Sequence, residues 1–165
     1  MRLTQLHILA LLFAAITSCS SGPPLYGNFL ERGSLQAQSF FALDSAAQLR
    51  RAYAPASMPL VLQDASDPFG QALVTRLRRM GFAVVEDGAP APPNAITVRY
   101  VVDTIEADLY RVSLVIWRAR DSAFLSRMNR AYSKQAGVVG PAGPWTRQIA
   151  DEQGGEKGGS AWTTN

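Results

Sequence analysis

The chain reads as an α+β protein, a small two-layer domain with one main helix at about 67–80 on a mostly antiparallel sheet of four to five strands, in the order β-α-β-β-β-β. Three stretches predict it. Asp67-Pro68 opens a segment that carries Phe69, Leu73, Leu77 and Met80 on one stripe and stops at Gly81. Ile96 to Thr104 and Tyr110 to Trp117 each alternate apolar and polar residues across a short polar turn, the pattern of an antiparallel hairpin with one buried face. Phe124 to Ser133 repeats the alternation with more polar residues, which suits an edge strand.

In chain order, residues 1–18 read as a lipoprotein signal peptide. Arg2 supplies a positive start, and Ile8 to Ile16 is apolar but too short to span a bilayer. Ile16-Thr17-Ser18-Cys19 resembles a lipobox, with a branched aliphatic residue and two small residues before the only cysteine. That resemblance implies diacylglycerol on the Cys19 thiol, cleavage before Cys19 and acylation of the new amine; two or three chains make such attachment effectively permanent. Ser20, where an Asp would resemble an inner-membrane retention mark, implies the outer membrane, with the domain facing the periplasm. An ordinary signal peptide with an incidental cysteine is the alternative.

Residues 19–42 form a lipidated tether and docking segment. Its start is rich in Pro, Gly and Ser, but Tyr26, Phe29, Phe40 and Phe41 are too many aromatics for a plain linker. They pack back on the domain or dock on a partner. The domain itself spans 43–135. Asp44 is placed to cap a short helix ending before Pro55, and Leu60 to Gln63 is a short strand. Asp67 caps the main helix and Pro68 fits its first turn, where a missing N–H costs nothing. Arg76, Arg78 and Arg79 fall in its last turn, where the helix dipole favours cations; a phosphate or partner contact is the other reading. Phe82 to Glu86 is a strand, and the hairpin and third run follow after a Pro-rich loop. The expected core is Phe69, Leu73, Leu77, Phe82, Val84, Val98, Val112 and Leu114. Residues 136–150 are a Gly/Pro-rich C-terminal segment in which Trp145 and Arg147 are candidate partner contacts, Trp145 either anchoring an interface or tucking onto the sheet. Residues 151–165, with their Gly-Gly pairs, read as a disordered tail.

Composition excludes several chemistries. The one histidine, His7, lies in the signal, and Cys19 is taken by lipid. The remaining chain therefore has no Ser-His-Asp or Cys-His nucleophile system, no His or Cys zinc site and no internal disulfide. No phosphate-loop or nucleophile-elbow motif is present. Glu86, Asp87, Glu106 and Asp108 are the carboxylates left for acid–base work, and all four sit at expected turns or strand ends. The formal charge of +3 falls to about +2 without Arg2, too little to predict direct nucleic-acid binding. We therefore expect no catalytic residue, no metal and no cofactor other than the covalent lipid, and no small-molecule substrate.

Several phrases, in this order and spacing, resemble the TrbH family of conjugal-transfer lipoproteins: Tyr26-Gly27-Asn28-Phe29, Asp67-Pro68-Phe69-Gly70-Gln71-Ala72-Leu73-Val74, Arg78-Arg79-Met80-Gly81-Phe82-Ala83-Val84, Leu109-Tyr110-Arg111-Val112 and Pro141-Ala142-Gly143-Pro144-Trp145-Thr146-Arg147. The resemblance implies a component of the mating-pair-formation apparatus, a type IV secretion system, whose partners are the other channel proteins. It brings no catalytic residues. Two other classes compete with it: an accessory lipoprotein of a transporter or of cell-wall synthesis, and a carboxylate-dependent wall hydrolase, which would need two carboxylates at hydrolase spacing in a cleft.

Overall fold

A computed structural model describes residues 25–30, 35–85 and 89–150. The signal 1–18, Cys19, the Glu86-Asp87 pair and the tail 151–165 lie outside them. Among the described residues two helices lie on one mixed sheet of eight strands. The elements are β1 (Gly27–Asn28), α1 (Leu35–Ala52), β2 (Leu60–Leu62), α2 (Pro68–Arg79), β3 (Val84–Val85), β4 (Ile96–Glu106), β5 (Leu109–Arg118), β6 (Phe124–Gln135), β7 (Val138–Pro141) and β8 (Thr146–Ile149). The sheet order is β3-β2-β4-β5-β6-β7, with β1 also beside β4 and β8 also beside β6.

The central hairpin forms as its alternation predicts. β4 and β5 pair antiparallel, with Val98 opposite Ile116 and Val102 opposite Val112. Ile96, Val98, Tyr100, Val102, Val112, Leu114 and Ile116 all face the helices and are buried. Helix α2 also follows its signals. Asp67 accepts hydrogen bonds from the amides of Phe69 (2.9 Å) and Gly70 (3.1 Å). At the other end Gly81 (φ +91°) closes the helix: its amide donates to Arg78 O, and that of Phe82 to Leu77 O. Phe69, Leu73, Leu77 and Phe82 then enter the core. Of the expected core only Val84 stays half-buried, on the edge strand β3.

The structure departs from the sequence reading in four places. The short helix expected from Asp44 is the second half of an eighteen-residue helix, so the layer has two helices rather than one main one. No Gly or Pro interrupts residues 35–52, and Ala37, Phe41, Ala42, Ser45, Ala46 and Leu49 make a continuous buried stripe. Phe40 and Phe41 thus belong to the domain, not to the tether, and Asp44 lies mid-helix instead of capping it. The sheet has eight strands in place of four to five, and its β1, β2 and β3 pairings are parallel. β6 is no edge: β7 and β8 both pair with it on the side away from β5. Finally, the boundaries 43–135 are too narrow, because β1 at one end and β7 and β8 at the other are strands of the same sheet. Short strands escape a period-two reading, since two to four residues hold hardly one alternation.

Candidate functional site

Helix α1 packs on the sheet with Asp44 over β6. Its carboxylate accepts from Arg130 Nη1 (2.9 and 3.1 Å), Tyr132 Oη (2.7 Å) and Trp145 Nε1 (3.0 Å). Arg130 also donates through Nε to Gly143 O at 2.9 Å. A single carboxylate thus joins the helix layer, β6 and the turn between β7 and β8. The pair is largely shielded, with the side chains of Arg130 and Asp44 17% and 20% exposed. Desolvation would make such a pair costly on its own, but here the further hydrogen bonds satisfy the remaining lone pairs. Burial, then the bond to Asp44, push the Tyr132 phenol far above its ordinary value, so it stays protonated and donates. Around the node, Phe41 stacks at 4.5 Å from Tyr132 and 5.8 Å from Tyr110, while Phe40 meets Tyr132 edge-on at 6.0 Å.

A second carboxylate holds the N-terminal strand. Asp67, besides capping α2, accepts from Tyr100 Oη and from Asn28 Nδ2 (3.3 Å), and Asn28 Nδ2 also reaches Gln38 Oε1 at 2.9 Å. Asn28 thereby ties β1 to both helices. Tyr100 Oη reaches this point only because residue 70 has no side chain: a Cβ on Gly70 would run into Tyr100 Oη and stand 2.6 Å from Ala65 Cα. Just past the end of α1, Tyr53 Oη bonds Ser126 Oγ (2.9 Å) and accepts from Arg147 Nη2 (3.4 Å), whose guanidinium lies 5.5 Å from the Tyr53 ring.

The candidate partner contacts therefore divide. Phe41 is fully buried and Trp145 nearly so. Neither can dock on a partner without unfolding, so for these two packing on the domain replaces docking, because each completes the core around Tyr132. Phe40 and Arg147 are half-buried in the same layer. Tyr26 lies 5.1 Å from the Arg99 guanidinium on β4, and Phe29 is 41% exposed. Cys19 lies outside the described residues. The structure gathers Phe40, Phe41 and Trp145 at one node and leaves Tyr26 and Phe29 at the β1 edge. Sequence reading missed Asp44, Arg130 and Tyr132 as a group. The available signal was an Arg and a Tyr in alternation with Met128 on one face of β6, donors that need acceptors once buried.

Glu106 and Asp108 are exposed at the β4–β5 turn. Among the described residues no three His, Cys, Asp or Glu side chains stand close enough to hold a metal ion, and no helix is long and apolar enough to cross a membrane. The node's groups are committed to one another, so its chemistry is that of a clasp. The sheet's other face, which neither helix covers, carries Val61 and Val115, both buried, and the edge-on pair Trp117–Phe124 at 5.4 Å. A family model described as conjugal transfer protein TrbH matches residues 24–149, from the approach to β1 to the last residue of β8. No curated protein and no solved structure matches the chain.

Proposed function

The chain belongs to the TrbH family of conjugal transfer proteins, and from that membership we propose that it is a lipid-anchored structural subunit of a conjugative type IV secretion apparatus. Cys19 carries the lipid, the outer membrane holds it, and the domain stands on the periplasmic side. Its action is binding, not catalysis: it keeps channel subunits near the membrane, where tethering raises their effective concentration. Its ligands are those subunits and the membrane, with no direct contact to nucleic acid and no small-molecule substrate.

The observation that carries this reading is the match itself, which begins five residues after Cys19 and takes in every strand and helix described. The two clasps support it. They fix both ends of the domain to one rigid sheet, which suits a module that transmits position. Of the candidate partner contacts this reading favours Tyr26, which lies close to the tether and is only half-buried beside Arg99.

The test compares the native protein with Cys19→Ser and with a deletion, scoring conjugation frequency and co-purification from detergent-solubilised envelope. Loss of transfer in both, with channel subunits recovered only with the native protein, is the expected result. Undiminished transfer after deletion would sink the reading and leave an accessory lipoprotein of another envelope assembly.

A further inference from the structure

The charges of the described residues sort along the strands. Helices α1 and α2 both finish at the end of the sheet where β4 begins. Tyr53, just past α1, bonds Ser126 near the start of β6. Helix α2 leads through Gly81 into β3, where Val84 stands opposite Leu60 and Leu60 opposite Ile96. A Cβ on Gly81 would lie 3.8 Å from Pro55 Cβ, so the two helix ends are neighbours. Their last turns carry Arg50 and Arg51 on α1 and Arg76, Arg78 and Arg79 on α2. Strand β5 ends there as well, Arg118 opposite Ile96, and the β5–β6 turn adds Arg120. Asp121 answers these last two, accepting from Arg118 and lying 3.5 Å from Arg120. Among the described residues no ion pair takes up Arg50, Arg51, Arg76 or Arg79. The opposite end has no such excess, because Asp103, Glu106 and Asp108 stand there with Arg111 and Lys134. Exposed apolar side chains do not distinguish the ends, since Ile149 is exposed at the first and Ile105 and Val138 at the second. Charge does.

The chain before β1 leaves toward the arginine end. β1 is parallel to β4, Gly27 opposite Val101 and Asn28 opposite Val102, so the residues ahead of Gly27 lie on the Ile96 side. Tyr26 accordingly stands 5.1 Å from the Arg99 guanidinium. Tyr26 is seven residues from Cys19, and seven extended residues span at most about 25 Å. From Arg99 back to Ile96 is three strand residues, about 10 Å. A lipid on Cys19 therefore holds a bilayer within reach of this end. We propose that the arginine end of the domain docks on anionic phospholipid beside the Cys19 anchor and so turns the β4–β5 turn away from the membrane; this rests on the lipid-anchored reading above. Guanidinium groups suit a phosphate surface, because their fork of N–H donors meets two oxygens at once and the charge is never lost. Ile149, 61% exposed at the end of β8 and opposite Ser126, would enter the interface with them. The contact is mainly electrostatic, so it should need anionic lipid and weaken with salt.

The single cysteine makes the test direct, because the lipid blocks its thiol and an introduced cysteine is then the only one free to label. Ala56→Cys, in the exposed turn after α1, and Ile149→Cys report on the arginine end, and Ile105→Cys on the other. Each would carry an environment-sensitive fluorophore on the full lipidated protein, in vesicles of phosphatidylcholine alone or mixed with phosphatidylglycerol. The expected result is a blue shift and quenching by a nitroxide-bearing lipid at 56 and 149 when phosphatidylglycerol is present. Both signals should weaken in phosphatidylcholine alone and in 1 M NaCl, and neither should appear at 105. Arg50→Gln with Arg51→Gln, both exposed, should lower the ratio of docked to undocked Ala56→Cys protein roughly 25-fold, at about fivefold per arginine. Protein that floats with the vesicles while 56 and 149 stay aqueous overturns the docking but leaves the anchor standing; the arginine charge is then spent within the chain, on Glu86, Asp87 or the carboxylates of 151–165. Protein that does not float overturns both. Quenching that is equal in the two vesicle types and indifferent to salt overturns the role of charge, and quenching at 105 overturns the orientation. A blue shift without nitroxide quenching marks contact with protein, either a second copy or a channel subunit, and also overturns the proposal.

Discussion

Tyr132 shows how one residue carries a pH dependence. Burial and the Asp44 carboxylate raise its phenol well above 10.0, the value an exposed tyrosine has. The folded chain therefore holds a proton that the unfolded chain releases above about pH 10. The sign follows: this contribution is fully present below pH 10 and falls as pH rises beyond it, by about 1.4 kcal/mol per unit. Tyr132→Phe removes the titrating group, so its stability should fall less steeply over pH 10 to 11.5, although it begins lower for want of the bond to Asp44. Urea midpoints of both proteins across that range decide it, and parallel profiles would show that Tyr132 ionises freely. Asp121 is lowered by the Ala123 amide and then by Arg118, but it is exposed at the β5–β6 turn, and no comparable dependence follows from it.

At the scale of elements, α1 is what keeps β7 and β8 in place. Four residues join β7 to β8, and they cross over Arg130, whose Nε holds Gly143 O. Asp44 orients that guanidinium and holds Trp145. Asp44→Ala would leave Arg130 half-buried beside Tyr132 and Trp145 with no carboxylate. Removing one partner from a shielded pair costs about 3 kcal/mol. The expected result is a loss of that size in urea denaturation, with backbone amides of Val139, Ala142 and Thr146 losing protection from hydrogen exchange before those of β4 and β5. Equal loss of protection everywhere would mean that the clasp serves the whole sheet and not its C-terminal strands. Helix α2 differs in kind. Its caps, Asp67 and Gly81, are local, which is why its limits could be read from sequence.

For the whole molecule, the sheet unites what the sequence divides. Residues 136–150 look like an appendage, yet they flank β6 along its length: Tyr132 stands opposite Pro141 and Met128 opposite Arg147. A chain ending at Gln135 would match the expected domain but would uncover β6 and strip Asp44 of Trp145. It should fail to give a single cooperative urea transition, whereas the full chain should unfold in one step with tryptophan fluorescence and far-UV circular dichroism coincident. A truncated chain as stable as the full one would restore the narrower boundary.

The division between sequence and tertiary structure is physical. Helix α2, its two ends, the β4–β5 hairpin and its buried face were determined locally, because caps act on the adjacent turn and a long alternating run selects a face. The family was legible too, in phrases that the structure now explains: Asn28 ties β1 to the helices, Gly70 makes room for Tyr100, and Trp145 reaches Asp44. What the sequence could not determine is which carboxylate meets which donor. Asp44 and Trp145 stand 101 residues apart. Their contact exists only once α1 has packed on the sheet, and so only the tertiary structure decided that Phe41 and Trp145 belong to the core.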